Sequence, residues 1–254
     1  MINGNCYIGT SGWSYKHWKG LFYPEKMQPG QYLEYYITQF GCTELNASFY
    51  RLPTAKTIES WSQILPDNFK IAIKLSRQIT HFKRLTGISD ELRVFMDLFE
   101  PLYNRLGPVL VQLPPSLKYE PSVVEPFYSL LKQDYKNLVF AIEPRHQSWF
   151  NLDAIELAEK YRIVWTIADS GGRYPQEEAV TANSVYLRFH GPKDPTPTGY
   201  SDEELLYWAE KTNNWVKTGL DVWVFFNNDF YGHAIYNART FKKLLHPISI
   251  LTTP

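Results

Sequence analysis

Charged and amide side chains follow one short apolar segment after another along this chain. In chain order, the segments end in Glu44-Leu45-Asn46, Lys74, Gln112, Glu143-Pro144-Arg145, Arg188-Phe189-His190 and Asn227-Asn228-Asp229. Carboxylates can transfer protons, guanidinium groups can hold anions, and amides can orient hydroxyl or carbonyl groups. Because a charge buried without a partner is costly, side chains of these types at the ends of apolar segments indicate a ligand site.

The chemistry that these residue types predict is proton transfer on a small anionic substrate. Glu143 and Glu44 are the predicted catalytic acid and base, since apolar surroundings raise the pKa of a carboxyl group, and His190 is the third catalytic candidate. Three predicted cations face two carboxylates, and the surplus positive charge favours a phosphate or a carboxylate as ligand. The predicted substrate-binding residues are Arg145, Arg188, Lys74, Asn46, Gln112, Asn227, Tyr50 and Trp13.

A metal centre is not the primary prediction. The six histidines stand at positions 17, 81, 146, 190, 233 and 246, and only His190 falls on the predicted inward face of a strand. A multinuclear metal site needs several such ligands. No cofactor is therefore predicted, and a single divalent metal held by Glu143, Asp169 and His190 is kept as the alternative.

Two other functions stay open. Aromatic residues make up 16% of the chain, and many lie near the polar segment ends. A cationic site lined with aromatic rings also suits a nucleic-acid-associated protein that binds phosphate and stacks bases, although a chain with 26 basic and 26 acidic residues has no broad basic surface. The same pocket would equally serve a non-catalytic metabolite binder, and the charged groups alone could form a structural ion network.

Eight short segments rich in β-branched and aromatic residues predict buried strands. They are Cys6–Gly12, Cys42–Asn46, Lys70–Ser76, Val109–Leu113, Leu138–Arg145, Ile163–Asp169, Val185–Gly191 and Asp221–Asn228. Alternation along the seventh segment places Tyr186, Arg188 and His190 on one face. We expect that face to turn inward, because the opposite apolar face suits packing against helices. In the sixth segment, Asp169 shares its parity with Trp165, so its direction is ambiguous.

Helical patterns separate most of these strands. They are Gln31–Phe40, Lys56–Leu65, Ser89–Arg105, Ser122–Tyr135, Asp153–Tyr161, Asp202–Lys217 and Ala234–Leu245. Pro101 predicts a bend or break in the third pattern, and Ser201 with Glu204 predicts a capping box. The connection 170–184, between the sixth and seventh strands, has no apolar stripe. The alternation predicts an α/β fold, a single eight-stranded TIM-like barrel with one irregular connection.

The length and composition of the chain are typical of a single folded domain. Its 254 residues suit one barrel domain over 1–254, and 44% hydrophobic residues are sufficient for a large core. Two cysteines fit a reducing compartment, and we expect a cytoplasmic protein, because neither a signal peptide nor a membrane-spanning segment is evident. The residues indicate no oligomeric state.

The ordered motifs resemble those of the YecE-like family, the domain of unknown function seventy-two. The resemblance rests on Gly9-Thr10-Ser11-Gly12-Trp13-Ser14-Tyr15, Trp18-Lys19-Gly20, Phe22-Tyr23-Pro24, Glu44-Leu45-Asn46, Phe49-Tyr50-Arg51-Leu52-Pro53, Thr80-His81, Gln112-Leu113-Pro114-Pro115, Glu143-Pro144-Arg145-His146, Ser148-Trp149, Arg188-Phe189-His190-Gly191, Asn227-Asn228-Asp229, Ala234 and Asn237-Ala238. It covers nearly the whole chain and implies an eight-stranded α/β barrel with no assigned activity. Pro144 departs from the aromatic or aliphatic residue of many members.

Overall fold

The computed structural model of the chain describes residues 3–191 and 199–245. Its strands are β1 (Cys6–Thr10), β2 (Cys42–Leu45), β3 (Lys70–Lys74), β4 (Leu106–Gln112), β5 (Phe140–Glu143), β6 (Val164–Asp169), β7 (Ser184–Phe189) and β8 (Asp221–Phe226). All eight predicted strands are confirmed, with ends that differ by up to three residues. Of the histidines considered above, His246 lies outside the described residues.

The predicted helices are also confirmed. The α-helices are α1 (Tyr32–Ile37), α2 (Ala47–Tyr50), α3 (Ala55–Ile64), α4 (Ser89–Phe99), α5 (Pro121–Asp134), α6 (Leu152–Lys160), α7 (Asp202–Lys217) and α8 (His233–Leu244). The helix predicted over 89–105 changes at Phe99 to a 3₁₀ helix, Glu100–Arg105, close to Pro101. The sequence patterns did not predict α2, nor a π-helical turn over Gln78–Phe82.

The strands form one sheet in the order β1-β8-β7-β6-β5-β4-β3-β2. Beyond this order, Ser11 and Glu44 form a parallel bridge that links the ends of β1 and β2. The eight parallel strands therefore make a nearly closed α/β barrel, and the predicted fold class is confirmed. The connection 170–183 contains no regular helix, also as predicted.

Contacts within the chain divide it into two compact units. Of the described residues, those within Met1–Glu44, Ala168–Arg173 and Asn183–Pro254 form unit 1, and those within Leu45–Ile167 and Tyr174–Ala182 form unit 2. A single domain over residues 1–254 stays a prediction.

In unit 1, β8 pairs with both β1 and β7, and α7 and α8 pack against it. The Phe189 ring of β7 packs edge-on against Trp208 of α7 at 5.7 Å between ring centroids and lies 5.8 Å from the tilted ring of Phe241 of α8. The apolar face of β7 thus meets the helices, and the face with Tyr186 and Arg188 turns the other way, as alternation predicts. The capping box of α7, between Ser201 and Glu204, is present.

Both cysteines lie in unit 1, in β1 and β2, and both are buried free thiols. A Cβ atom at Gly9 would lie 2.1 Å from the carbonyl oxygen of Cys42. Glycine therefore permits the close approach of these two strands.

In unit 2, β3, β4 and β5 pair in sequence, and the register places Gln112 opposite Glu143. The helix that follows β5, α6, begins with a side-chain cap, because Asn151 accepts a hydrogen bond from the Ala154 amide. Lys74, Gln112 and Glu143 are the last residues of β3, β4 and β5.

No helix in the described residues is long and apolar enough to span a bilayer.

Candidate active site

The predicted site residues fall into two groups. In unit 1 we define the Glu44 cluster as Ser11, Glu44, Tyr186, Arg188, His190 and Asn227. In unit 2 we define the Lys74 cluster as Phe49, Lys74, His81, Glu143, Arg145 and Tyr174. Each cluster joins a carboxylate at the end of a strand with an arginine.

Glu44 and Arg188 form an ion pair in the Glu44 cluster. Arg188 donates through Nη2 to Oε1 at 2.7 Å and through Nε to Oε2 at 2.9 Å, the bidentate geometry of a strong pair. Ser11 Oγ donates to Oε1 at 2.6 Å, and the Tyr186 hydroxyl donates to Oε2 at 2.7 Å. Glu44 is 0% and Arg188 1% exposed, so this pair is closed to solvent.

These contacts decide the charge of Glu44. Burial raises its pKa, but the Arg188 guanidinium and the hydrogen bonds from Arg188, Ser11 and Tyr186 lower it, and the net direction is downward. The expectation that apolar surroundings raise the pKa of Glu44 is therefore wrong. A carboxylate held ionised by so many donors is better suited to fix Arg188 than to exchange protons.

His190 lies directly after β7, between Arg188 and Asn227. Its Nε2 is 3.5 Å from Arg188 Nη1, and its Nδ1 is 3.1 Å from Asn227 Nδ2. The His190 amide donates to the Asp169 carbonyl at 2.7 Å, and Arg173 donates to the His190 carbonyl at 2.8 Å. Both the ring and the backbone of His190 are thus held in place, as a catalytic or binding histidine requires.

A second carboxylate of unit 1 lies just beyond β8. Asp229 Oδ2 is 2.8 Å from His17 Nε2, and Oδ1 accepts a 2.6 Å hydrogen bond from the Trp18 indole. Burial raises the pKa of Asp229 to about 6, while the contacts with Trp18 and His17 oppose that rise. Asp229 therefore titrates close to neutral pH.

The Lys74 cluster is built on the ends of β3 and β5. Lys74 Nζ lies 4.1 Å above the Phe49 ring, a cation–π contact, and the Phe49 ring packs edge-on against His81 at 4.8 Å. Phe49 reaches this position because Ser48 of α2 donates to the Lys74 carbonyl at 2.7 Å. The short helix that the sequence patterns missed therefore positions the ring.

Glu143 and Arg145 form the ion pair of this cluster. Arg145 donates through Nε at 3.0 Å and through Nη2 at 2.8 Å, both to Oε1 of Glu143. The guanidinium also lies 4.5 Å from the Tyr174 ring centroid. The Arg145 side chain is 17% exposed although that of Glu143 is only 2% exposed, so one side of this pair reaches solvent.

The pKa of His81 reflects the positive charges of the cluster. Burial lowers its pKa, and the charges of Lys74, Arg145 and Arg77 lower it further, to about 4. Thr80 Oγ1 lies 2.9 Å from His81 Nδ1. The His81 ring is thus neutral at physiological pH and lies in a strongly positive field.

Two exposed aromatic rings lie beside this cluster. Arg77 lies 5.7 Å from the Tyr50 ring and 5.5 Å from the Phe82 ring, and these rings are 67% and 63% exposed. We call Tyr50, Arg77 and Phe82 the stacking surface. Tyr50 follows Phe49 and Phe82 follows His81 in the sequence, so this surface and the Lys74 cluster share the same two segments.

The remaining predicted residues are placed as follows. Gln112 is buried and donates to the Leu113 carbonyl at 2.6 Å. Asn46 directly precedes α2, and the Trp13 carbonyl accepts a hydrogen bond from the buried Tyr23 hydroxyl. The prediction of substrate contact for these three residues stays a prediction.

Asp169 faces the helices. Its Oδ2 accepts a hydrogen bond from the Trp208 indole of α7 at 3.3 Å, which resolves the ambiguity of the sixth strand in favour of its parity with Trp165. Across residues 3–191 and 199–245, no group of three or more His, Cys, Asp or Glu side chains could hold a metal ion. The alternative metal site at Glu143, Asp169 and His190 gains no support.

Ser11, Tyr186, His81 and Arg77 are site residues that the sequence patterns did not select. Tyr186 has the same strand parity as Arg188, so a rule that included every inward side chain would have found it. Ser11 lies within the predicted strand Cys6–Gly12, but strand parity alone does not show that it contacts Glu44. His81 lies outside the strands, in a turn whose direction depends on tertiary packing, so the periodicity carries no signal for it.

The fold and the two clusters define a TIM-like α/β-barrel protein with paired charges at its strand ends. Residues 7–253 match the family model described as "Protein of unknown function DUF72". The chain therefore belongs to the DUF72 family, and the resemblance drawn from its motifs is confirmed.

The relatives support the same assignment. The chain is 27% identical to UPF0759 protein YunF of Bacillus subtilis, over 94% of both chains. It is 27% identical to UPF0759 protein YecE of Escherichia coli, over 84% of this chain and 82% of that protein. The crystal structure of a DUF72 family protein from Thermotoga maritima is 31% identical, covers 94% of this chain and 98% of that chain, and superposes with a TM-score of 0.83. One from Enterococcus faecalis, at 20% identity and a TM-score of 0.80 over 94% and 95% of the two chains, shares the fold.

Proposed function

We propose that this protein is an enzyme that performs acid–base chemistry on a small phosphate- or carboxylate-bearing substrate at the Lys74 cluster. The observation that carries the proposal is the positive field at His81, where Lys74, Arg77 and Arg145 outnumber the carboxylate of Glu143. Three cations and one carboxylate leave two positive charges. A partly open site with such a surplus favours an anion from solution.

The roles follow from the contacts. Lys74 and Arg145 hold the anion, because Arg145 reaches solvent and offers a planar pair of donors. Glu143 transfers the proton, and Gln112 on the neighbouring strand orients the substrate. In this proposal Glu44 stays ionised and fixes Arg188, and His190 remains a catalytic candidate of unit 1. Hydrolysis, elimination and isomerisation all fit these groups, and we place the activity in the cytoplasm.

The proposal is tested by an NMR titration of His81 with inorganic phosphate. An anion bound at the Lys74 cluster screens the positive field, so the pKa of His81 should rise from about 4 toward its ordinary value. Lys74→Met should abolish the dependence of the His81 pKa on phosphate. Lys56→Met removes an exposed lysine of α3 and serves as the matched control. An identical response of both variants and the native protein would contradict the proposal.

Catalysis is separated from simple binding by Glu143→Gln. The isosteric amide keeps the shape of the cluster but cannot accept a proton. In an NMR screen of phosphorylated and carboxylated metabolites, the native protein should convert at least one compound, and Glu143→Gln should bind that compound without converting it. Conversion at the native rate by the variant would exclude Glu143 as the proton-transfer group.

The stacking surface favours a second function, binding of single-stranded nucleic acid. Two exposed aromatic rings within 6 Å of the Arg77 guanidinium offer faces on which bases stack, each base worth about 1–3 kcal/mol. Fluorescence anisotropy with a labelled oligothymidylate tests this function. Tyr50→Ala and Phe82→Ala should weaken binding, whereas Tyr236→Ala, at an exposed tyrosine of α8, should not. Equal anisotropy for all three variants would exclude the stacking surface.

A further inference from the structure

A separate cavity of about 360 Å³ lies among the loops of unit 2. Three loop segments and the start of α5 line it. The loop segments are residues 83–86 after β3, residues 116–118 with Glu120 after β4, and Trp149 after β5, and α5 contributes Val123 and Val124. Small-molecule sites in proteins usually have volumes of about 300–1,000 Å³. The cavity is therefore large enough for a compact metabolite. None of the catalytic or substrate-binding residues predicted from the sequence lines it.

The base of the cavity is apolar and fixed. Leu85, Leu117 and Trp149 are buried there. The Trp149 indole donates to the Leu117 carbonyl at 2.9 Å, and the Tyr119 amide donates to Ser148 Oγ at 2.8 Å. These bonds join the second and third segments, so the base keeps its shape before any ligand binds.

The backbone of the first segment adopts a conformation that needs support. Arg84 and Leu85 are consecutive residues with φ of 50° and 68°, a region that residues with a side chain rarely adopt. Arg84 donates two hydrogen bonds to Ser116, through Nη2 to the carbonyl oxygen at 2.8 Å and through Nη1 to Oγ at 3.3 Å. Backbone outliers of this kind cluster at binding sites, and this one places a guanidinium at the rim of the cavity.

The rim carries more positive than negative charge. Lys83, Arg84 and Lys118 line it together with one carboxylate, that of Glu120. Lys83 is already paired with Glu91 at 2.5 Å. Lys118 is exposed and forms no hydrogen bond or ion pair with another described residue. The cationic groups that remain available are thus next to an apolar base.

From this juxtaposition we propose that the cavity binds a small organic anion, an aromatic or aliphatic body that carries one phosphate or carboxylate group. The apolar body occupies the base over Trp149, and the anionic group contacts Lys118 and Arg84. This site is distinct from the Lys74 cluster, and its occupation does not depend on the function proposed above.

Isothermal titration calorimetry with phenyl phosphate tests the proposal, with inorganic phosphate and phenol as partial ligands. The native protein should bind phenyl phosphate at least tenfold more tightly than either partial ligand, because only phenyl phosphate uses both the base and the rim. Lys118→Glu should weaken the binding of phenyl phosphate by about tenfold or more. A tenfold change in the dissociation constant is equivalent to about 1.4 kcal/mol. Thr86→Trp, at an exposed residue that lines the cavity, should occlude the cavity and remove binding.

Two controls make the outcome decisive. Lys56→Glu makes the same charge change on α3, outside the cavity, and should bind as the native protein does. Lys74→Met removes the anion site proposed above, and the cavity should bind phenyl phosphate in this variant with its native affinity. If Lys118→Glu binds phenyl phosphate like Lys56→Glu, the proposal is overturned. Loss of binding in Lys74→Met alone would also overturn it, and would assign the anion to the Lys74 cluster instead.

Discussion

The Glu44 cluster and the Lys74 cluster contain the same pair of groups in opposite settings. Glu44 and Arg188 meet through both carboxylate oxygens, gain further donors from Ser11 and Tyr186, and exclude solvent. In the other unit, Arg145 contacts a single oxygen of Glu143 and reaches solvent. The comparison teaches that pairing alone does not mark a binding site. The closed pair satisfies its own charges away from water, whereas the open pair keeps part of the Arg145 guanidinium in contact with solvent.

The largest predicted effect is on the closed pair. Arg188→Met leaves the Glu44 carboxylate buried without its counter-charge, which should lower the free energy of unfolding by about 3–5 kcal/mol. Arg145→Met should cost less, about 1–3 kcal/mol, because water can reach Glu143 where the guanidinium was. Urea unfolding of both variants measures the difference. Equal losses would show that the two pairs are equally closed.

Glu44 should make the free energy of unfolding sensitive to acid. Its folded-state pKa lies below its unfolded-state value, so its ionised form stabilises the fold above the unfolded-state pKa, and that stability is lost as pH falls through the folded-state pKa. In unfolding experiments from pH 5 to pH 3, the native protein should lose more stability than Glu44→Gln. Parallel pH profiles for the two proteins would contradict this assignment.

The contribution of His81 to the free energy of unfolding should change over a higher pH range than that of Glu44. Its folded-state pKa is about 4, below the unfolded-state value for histidine near 6.5, so the unfolded chain binds more protons in between. Stability should therefore fall as pH is lowered from about 6.5 to 4. Because His81 is only half-buried and solvent screens the field, we expect a loss of about 1 kcal/mol. His81→Gln should remove that part of the pH dependence, and 0.5 M sodium chloride should reduce it in the native protein.

The smallest predicted effect concerns Asp229. Its pKa of about 6 lies above the unfolded-state value, so the folded state binds the extra proton, and stability from this group is lost as pH rises through 6. Asp229→Asn should therefore stabilise the fold by less than about 1 kcal/mol at pH 7.5, after screening by solvent, and by nothing at about pH 3, below both the folded-state and the unfolded-state pKa of Asp229. Thermal unfolding at both pH values measures this effect. Destabilisation at pH 7.5 would show that the contact with His17 outweighs the cost of burial.

The fold was predictable because its signals are local. Alternation along β7 predicted the direction of Arg188, Pro101 predicted the change at Phe99, and Ser201 with Glu204 predicted the start of α7. The site was predictable only in part. The polar ends of the apolar segments selected Glu44 and Arg188 separately, but they could not show that the two residues pair. His81 enters the Lys74 cluster through a π-helical turn, and no periodicity in the sequence indicates the direction of such a turn.

The two buried cysteines have a practical consequence for chemical labelling. Burial raises the pKa of the Cys6 and Cys42 thiols far above neutral pH, so both stay protonated and hidden from maleimide reagents. A cysteine introduced at an exposed position such as Lys118 or Phe82 would then be the fast-reacting thiol of the folded chain. A fluorophore or spin label attached there would report on the loops of unit 2 in the native sequence background. The natural cysteines need not be removed first.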